Sequence, residues 1–371
     1  MRVPLVQPLI DEREIDAVSR VLRSGQLAQG PEVAAFEQEF ADSCGARHAV
    51  AMNSGTAANH AALAALGVGA DDEVLTTPFT FAATSTPILM LGARPRFVDI
   101  DPRTFNVDVA HLTAAIGPRT KAAILVDLFG LPFDRTGIDE LAGRGIRVVE
   151  DACQAVGARR DGRTAGTLGA AGAFSFYATK NIMTGEGGML VTDDDQIAAG
   201  ARRFRQHGMS ERYEYVALGY NYRMTDVLAA LGRVQLGRLD AIAAARRANA
   251  RRYDAGLAGV PGLTPPFVPA GVEHAYHQYS VLIDPDRAPS GRDRDAVRAF
   301  LAEREVSTGV YYPTPLHLNR LFAAFGDGPG AFPNAEAAAR RVLALPIHPL
   351  LSSQQVDYVI ANLREALGVD R

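Results

Sequence analysis

Apolar residues at Ile15, Val18, Val21 and Leu22 recur at helical spacing and stop at Gly25, which predicts a first helix. A second helix is expected to open at Pro31, to carry Val33, Phe36 and Phe40 on one face, and to end near Gly45. From His48 the pattern changes. Short apolar runs, "HAVAM", "DEVLTTP", "PRFVDID", "KAAILVDLFG" and "IRVVED", read as strands. Between them "AANHAALAAL", "ATSTPILMLG", "VAHLTAAI" and "IDELAGRG" read as helices. Such alternation predicts an α/β unit with a mostly parallel sheet covered on both faces. Two further strands, "GAFSF" and "GGMLVTD", complete it.

From Thr225 to about Leu257 the chain is rich in Ala, Leu and Arg and predicts one long helix bridging two domains. The segment "VPGLTPPFVPAGVEH", dense in Pro and Gly, leads into a second unit. That unit is expected to hold strand "YSVLID", helix "RDAVRAFLAER", strand "STGVYY", and helices near 334–343 and 353–367. Ser352 and Gln355 have the spacing of a capping box at the start of the last one. The expected division is a large α/β domain over residues 1–245 and a smaller α+β domain over 246–371.

Composition narrows the function classes. The chain has 371 residues, 47% of them hydrophobic and 22% charged, enough for a substantial core. A formal net charge of −4 gives no support for nucleic-acid binding. The basic clusters "ARRFRQHG" and "ARRANARRY" read as solvated helix faces. Cys44 and Cys153 form no disulfide framework or zinc spacing. With no apolar leader at the N-terminus and no apolar run of about 18 residues, a cytoplasmic protein without a membrane span is expected.

Ligands of open parallel sheets bind beyond the carboxyl ends of the strands, and the chemically informative residues fall there. "NSGTAAN" sets Ser54, Gly55 and Thr56 between a strand and a helix. It suits either a phosphate site or an ordinary helix cap. Asp151 ends "VVED" with Gln154 just beyond; it suits a cap or a cationic ring nitrogen. "SFYATKN" places Lys180 in an apolar setting with Ser175 upstream. A lysine so placed is either turned to solvent or wanted as a nucleophile. Phe79 and Phe81 suit core packing or stacking on a planar ring. In "GYNYRMTD", Asn221 and Arg223 are candidates for a phosphate or subunit contact, or belong to a plain loop. His274 and His277 of "HAYH" are expected on opposite faces of a strand, which excludes a shared metal. No P-loop, dinucleotide fingerprint or hydrolase elbow is present. A phosphate-cradling SGT, an aromatic, a strand-end Asp, and then Ser and Lys make together the parts list for pyridoxal 5'-phosphate (PLP).

"SGQLAQGPEVAAFE", "NSGTAA", "PFTFAAT", "GARPRFVDID", "VEDACQAVGA", "FSFYATKNIMTGEGGML", "RQHGM", "GYNYRMTD", "QLGRLD" and "TGVYYPTPLH" follow one another in this chain. The set resembles the DegT/DnrJ/EryC1/StrS sugar aminotransferases, of the fold type I PLP enzymes, over about residues 3–365. The resemblance implies a large domain with a mostly parallel seven-stranded sheet flanked by helices, plus a smaller C-terminal α+β domain. It implies that Lys180 forms the Schiff base and that Asp151 pairs with the pyridine nitrogen. Gln154 would lie at the ring hydroxyl and Phe81 on the ring. Gly55, Thr56, Ala57 and Ser175 would hold the phosphate. Asn221 would reach the phosphate from the neighbouring subunit of a homodimer. Tyr312 and His317 would line the sugar pocket. The implied reaction moves an amino group from L-glutamate to the 3- or 4-keto group of a nucleotide-diphosphate sugar. It would run ping-pong through pyridoxamine phosphate, in amino-sugar, polysaccharide or glycoside biosynthesis. The alternatives are a non-catalytic PLP-binding regulator, or a sugar dehydratase of the same fold. The dehydratase would carry His where this chain has Lys180.

Overall fold

A computed structural model describes residues 1–369. Seven strands form the main sheet: β1 (His48–Met52), β2 (Glu73–Thr76), β3 (Arg94–Phe97), β4 (Thr120–Val126), β5 (Arg147–Asp151), β6 (Ala171–Ser175) and β7 (Gly188–Thr192). Their order is β1-β7-β6-β5-β4-β2-β3. Only β7 runs against its neighbours, pairing antiparallel with both β1 and β6. Six carboxyl ends therefore open on one edge of the sheet. The strands are short, and the central ones, such as "AAILV" of β4 and "GMLV" of β7, are apolar and buried because helices cover both faces.

The covering helices are α1 (Glu12–Ser24), α2 (Pro31–Cys44), α3 (Gly55–Ala65), α4 (Ala82–Met90), α5 (Val109–Ala114), α6 (Ile138–Gly143), α7 (Asp195–Arg205) and α8 (Asp226–Leu236). Phe36 and Phe40 of α2 pack on Phe174 and Phe176 against one face. Ala57, Ala58, Ala61 and Ala62 bring α3 close to the other, against Val149, Ala173 and Leu190. The first helix exists where its periodicity predicts it, with a capping box between Asp11 and Glu14. Its buried positions are Glu14, Ala17 and Val21, whereas Ile15 and Leu22 remain exposed in the single chain.

The long helix expected over 225–257 is two helices. α8 stops at Leu236, and α9 (Leu239–Leu257) starts after Gly237 and Arg238. Arg238 sits at the corner and is buried, with its guanidinium held by Asp11 and Glu14. The turn lets α9 serve two cores. Ile242 packs with the main sheet, while Ala250, Tyr253 and Leu257 pack in the second core.

That second core lies under a three-stranded antiparallel sheet of β8 (Leu263–Thr264), β9 (Tyr279–Ile283) and β10 (Val342–Leu345), with helices α10 (Arg294–Glu303), α11 (Pro333–Arg341) and α12 (Ser353–Ala366). Position 245, the division expected from the sequence, falls inside the continuous α9. Val3 also belongs to the second core, through a bridge to Val306. The capping box at Ser352 and Gln355 is present. "STGVYY" is not a strand; it makes one bridge, Gly309 to Ala344, before Tyr311 and Tyr312 turn toward the main sheet. The strand in that place is β10, "VLAL", whose first residues lie within the helix expected near 334–343. Among the described residues no helix is long and apolar enough to cross a membrane.

Candidate active site

A cavity of about 710 Å³ opens at the carboxyl edge of the sheet, between it and the second core. Its floor is built from strand ends. β1 ends at Met52, and α3 starts three residues on with Ser54 as N-cap. The Ser54 hydroxyl accepts the Ala57 N–H at 3.1 Å. The first N–H groups of a helix have no acceptor within it, so those of Gly55 and Thr56 are left toward the cavity that both residues line. Gly55 is required by crowding: a Cβ there would meet Cys153 Sγ at 2.6 Å and Ser175 Cβ at 2.9 Å. The cap reading of "NSGTAAN" is realised at Ser54, while Gly55 and Thr56, the residues of the anion-site reading, line the cavity. Ala57 is buried, its amide is committed to Ser54, and it does not line the cavity.

Asp151, the last residue of β5, is buried at the cavity wall. Its Oδ2 accepts from Thr84 Oγ1 at 2.7 Å, and its Oδ1 accepts from the Cys153 N–H at 3.2 Å. Thr84 in turn lies 2.9 Å from the Thr80 hydroxyl. The carboxylate is thus oriented from two sides.

Lys180 lines the same cavity. Burial of its amine lowers the pKa from 10.5, and the neighbouring Asp151 carboxylate acts in the opposite direction. Ser175, at the end of β6, borders the cavity and accepts the Tyr177 N–H at 3.3 Å. Gln154 is clamped: its Oε1 accepts from Phe129 N–H at 3.0 Å and its Nε2 donates to Tyr312 Oη at 3.2 Å. Tyr312 lies roughly parallel to Phe81, with centroids 6.1 Å apart. Phe81 is 59% exposed, which sets it apart from the fully buried Phe79.

His317, expected at the sugar pocket, lies elsewhere, and Asn221, expected to serve the neighbouring subunit, stands outside the cavity of its own chain. His317 does not line this cavity. Its ring is buried against Phe332 and sits 3.2 Å from Glu336, because the turn after "YYPTP" carries it under α11. Asn221 is exposed and does not line the cavity of its own chain; its carbonyl accepts from Asn53 Nδ2 at 3.4 Å.

The structure also brings in residues that the sequence pattern alone does not single out. Arg246, within "ARRANARRY", is buried and lines the cavity instead of facing solvent. The signal was present, since Ile242, Ala243, Arg246, Ala250 and Tyr253 share the inner face of α9. Likewise Arg205 of "ARRFRQHG" is buried on Glu37. His277 joins the cavity from an irregular segment, whereas His274 is buried apart from it with Nδ1 accepting the Tyr276 N–H. Both cysteines are free thiols. No metal-binding cluster occurs among the described residues.

Comparison with known proteins agrees with this architecture. The chain is 42% identical to the "Spore coat polysaccharide biosynthesis protein SpsC" of Bacillus subtilis, over 99% of this chain and 98% of that protein. It is 42% identical to the "dTDP-3-amino-3,4,6-trideoxy-alpha-D-glucose transaminase" of Micromonospora megalomicea, over 95% of this chain and 94% of that one. The crystal structure of S. venezuelae DesV in complex with a ketimine intermediate superposes with a TM-score of 0.92 at 37% identity, covering 98% of this chain and 99% of that one. The pattern that defines the DegT/DnrJ/EryC1/StrS aminotransferase family matches residues 8–364, and the chain belongs to that family.

Proposed function

We propose that this protein transfers an amino group from L-glutamate to a keto group of a nucleotide-diphosphate sugar, with PLP held in the cavity at the carboxyl edge of the sheet. The observation that carries this reading is the convergence of a buried lysine, a doubly oriented aspartate and a helix N-terminus on one cavity. The named transaminase relative supports a keto-sugar acceptor.

The residues present fit the cofactor. The start of α3, where a Cβ at Gly55 has no room, offers unpaired amides to a phosphate, with the Ser175 hydroxyl beside them. Asp151 would accept from the ring nitrogen, Phe81 offers an aromatic face, and Gln154 lies on the ring-hydroxyl side. When bound, PLP supplies a carbonyl carbon for amines and a cationic ring that accepts an electron pair.

Lys180 does the proton work. Its lowered pKa raises the fraction of free amine near neutrality, so it can take a proton from the donor's α-carbon and return one to the cofactor carbon. Asp151, fixed by Thr84, keeps the opposing charge in place at no cost of reorganisation. Donor and acceptor use one site in turn, so ping-pong kinetics follow.

A homodimer belongs to the same reading. Tyr213, Tyr215, Val216 and Leu218, just before Asn221, are exposed apolar side chains, as are Ile15 and Leu22 of α1. Covering them with a second copy would let Asn221 reach the partner's phosphate site. A cytoplasmic role in amino-sugar, polysaccharide or glycoside biosynthesis is part of the proposal.

The test is a two-stage addition. L-Glutamate should abolish the visible absorbance of the lysine-bound cofactor and release 2-oxoglutarate. A panel of keto-sugar nucleotides should then restore that absorbance with one member. Absorbance that survives excess glutamate and every other amino donor would leave a non-catalytic regulator as the better reading.

A further inference from the structure

Four arginines are buried among the described residues: Arg205, Arg238, Arg246 and Arg294. Three of them meet carboxylates. Arg205 lies 2.6 Å from Glu37, Arg238 2.9 Å from Glu14, and Arg294 2.6 Å from Asp295. Arg246 meets none within ion-pair distance. Its Nη1 donates to the main-chain carbonyls of Tyr276 at 2.9 Å and His277 at 3.3 Å, and its Nε is buried with no acceptor. A buried guanidinium without a counter-charge is a costly arrangement. Arg246 and Lys180 border the same cavity, and the buried His277 Nδ1 beside them also has no partner.

An anion entering that cavity completes Arg246. The cofactor's phosphate has its own cradle at the start of α3, on a different element. With Nη1 committed to carbonyls, the guanidinium retains the edge formed by Nε and Nη2. Two parallel N–H groups on that edge match the two oxygens of a planar carboxylate. Leu345, Ile347 and Val6 also line the cavity and supply apolar surface for the carbon chain of an amino acid. We propose that Arg246 is the specificity-determining residue that receives a carboxylate of the amino donor.

This inference rests on the reading of the cavity as an aminotransferase site, and the test separates the two. The PLP-loaded enzyme is titrated with glutarate, a dicarboxylate without an amine, by calorimetry. Glutarate is expected to bind wild type, and Arg246→Gln is expected to weaken it by roughly 10- to 100-fold, the range for loss of a charged hydrogen-bonded pair. The glutamate concentration that half-saturates loss of the lysine-bound cofactor absorbance should rise by a similar factor. Cofactor absorbance before glutamate is added should stay as in wild type, and the thermal midpoint verifies that the variant is folded. Arg246→Lys keeps the charge without the two-donor edge and is expected to fall between the two; it serves as the probe where the Gln variant does not fold. L-Glutamine in place of glutamate locates the contact. Equal dependence on Arg246 assigns the α-carboxylate, and dependence confined to glutamate assigns the distal one. Glutarate that fails to bind wild type, or binds a folded variant with unchanged affinity, overturns the proposal. Wild-type enzyme that binds glutarate through Arg246 but never reacts with an amino donor sinks the aminotransferase reading and leaves the carboxylate site standing.

Discussion

The Thr84 hydroxyl donates to Asp151 Oδ2 at 2.7 Å, from the first turns of α4 to the end of β5. A side chain in an apolar helix thereby sets the direction of the carboxylate that faces the cavity. Thr84→Val keeps the shape and removes the donor. Hydrogen bonds to charged groups contribute about 1.5–3 kcal/mol, so the variant should hold PLP roughly 10- to 100-fold less tightly. Equilibrium dialysis checks this; unchanged affinity would show that Asp151 orients itself without Thr84.

Lys180→Ala should give folded protein that retains no PLP through a borohydride reduction. Turnover should fall by roughly 10²–10⁴-fold, the usual range for loss of a general acid–base group. Mass spectrometry after reduction reads the covalent link. A reduced adduct on the variant would refute the assignment of the nucleophile.

Gly55→Ala places a methyl 2.6 Å from Cys153 Sγ and 2.9 Å from Ser175 Cβ. Overpacking of this kind costs about 1–3 kcal/mol, and the shift of α3 should also weaken PLP binding. Cys153→Ala added to it should restore part of the stability in urea titrations, because it removes the nearer atom. A double variant no more stable than Gly55→Ala would place the strain at Ser175 or the β6 backbone.

Mixing inactive Lys180→Ala with inactive Asn221→Ala protein tests the shared site. If Asn221 serves the neighbouring subunit, each mixed dimer contains one intact site, and a 1:1 mixture in which half of the dimers are mixed regains up to about a quarter of the wild-type rate. No recovery after verified subunit exchange would return Asn221 to its own chain.

Burial holds His274 neutral, with its pKa pushed down to about 3 from the ordinary histidine value of 6.5. Between those values the unfolded chain binds more protons than the folded one, so stability falls as pH drops below 6.5. The loss is about 2 kcal/mol at pH 5 from this residue alone. His274→Gln should flatten the difference between urea midpoints measured at pH 7 and pH 5. An unaltered difference would assign the acid sensitivity to other buried groups, such as His348, whose pKa is pushed down to about 4.

Much of this protein was legible in its sequence because its signals are local. The alternation of apolar strand runs with helical spacing, the Ser352–Gln355 cap and the strand-end positions of Gly55, Asp151 and Ser175 all follow from short-range geometry. So does the suspicion attached to a lysine within "SFYATKN". What needed the tertiary structure is set by contacts distant in the chain. Arg238, pinned by residues near the N-terminus, breaks the expected long helix. β10 is a strand because β9 pairs with it, against the helical pattern before it. Arg246 looks like surface charge until α9 is seen to turn its inner face to a cavity closed by residues 275–348. His317 has the right neighbours in sequence and the wrong side of α11 in space. Local propensity and periodicity are written along the chain, whereas burial of a charge is decided by what folds back over it.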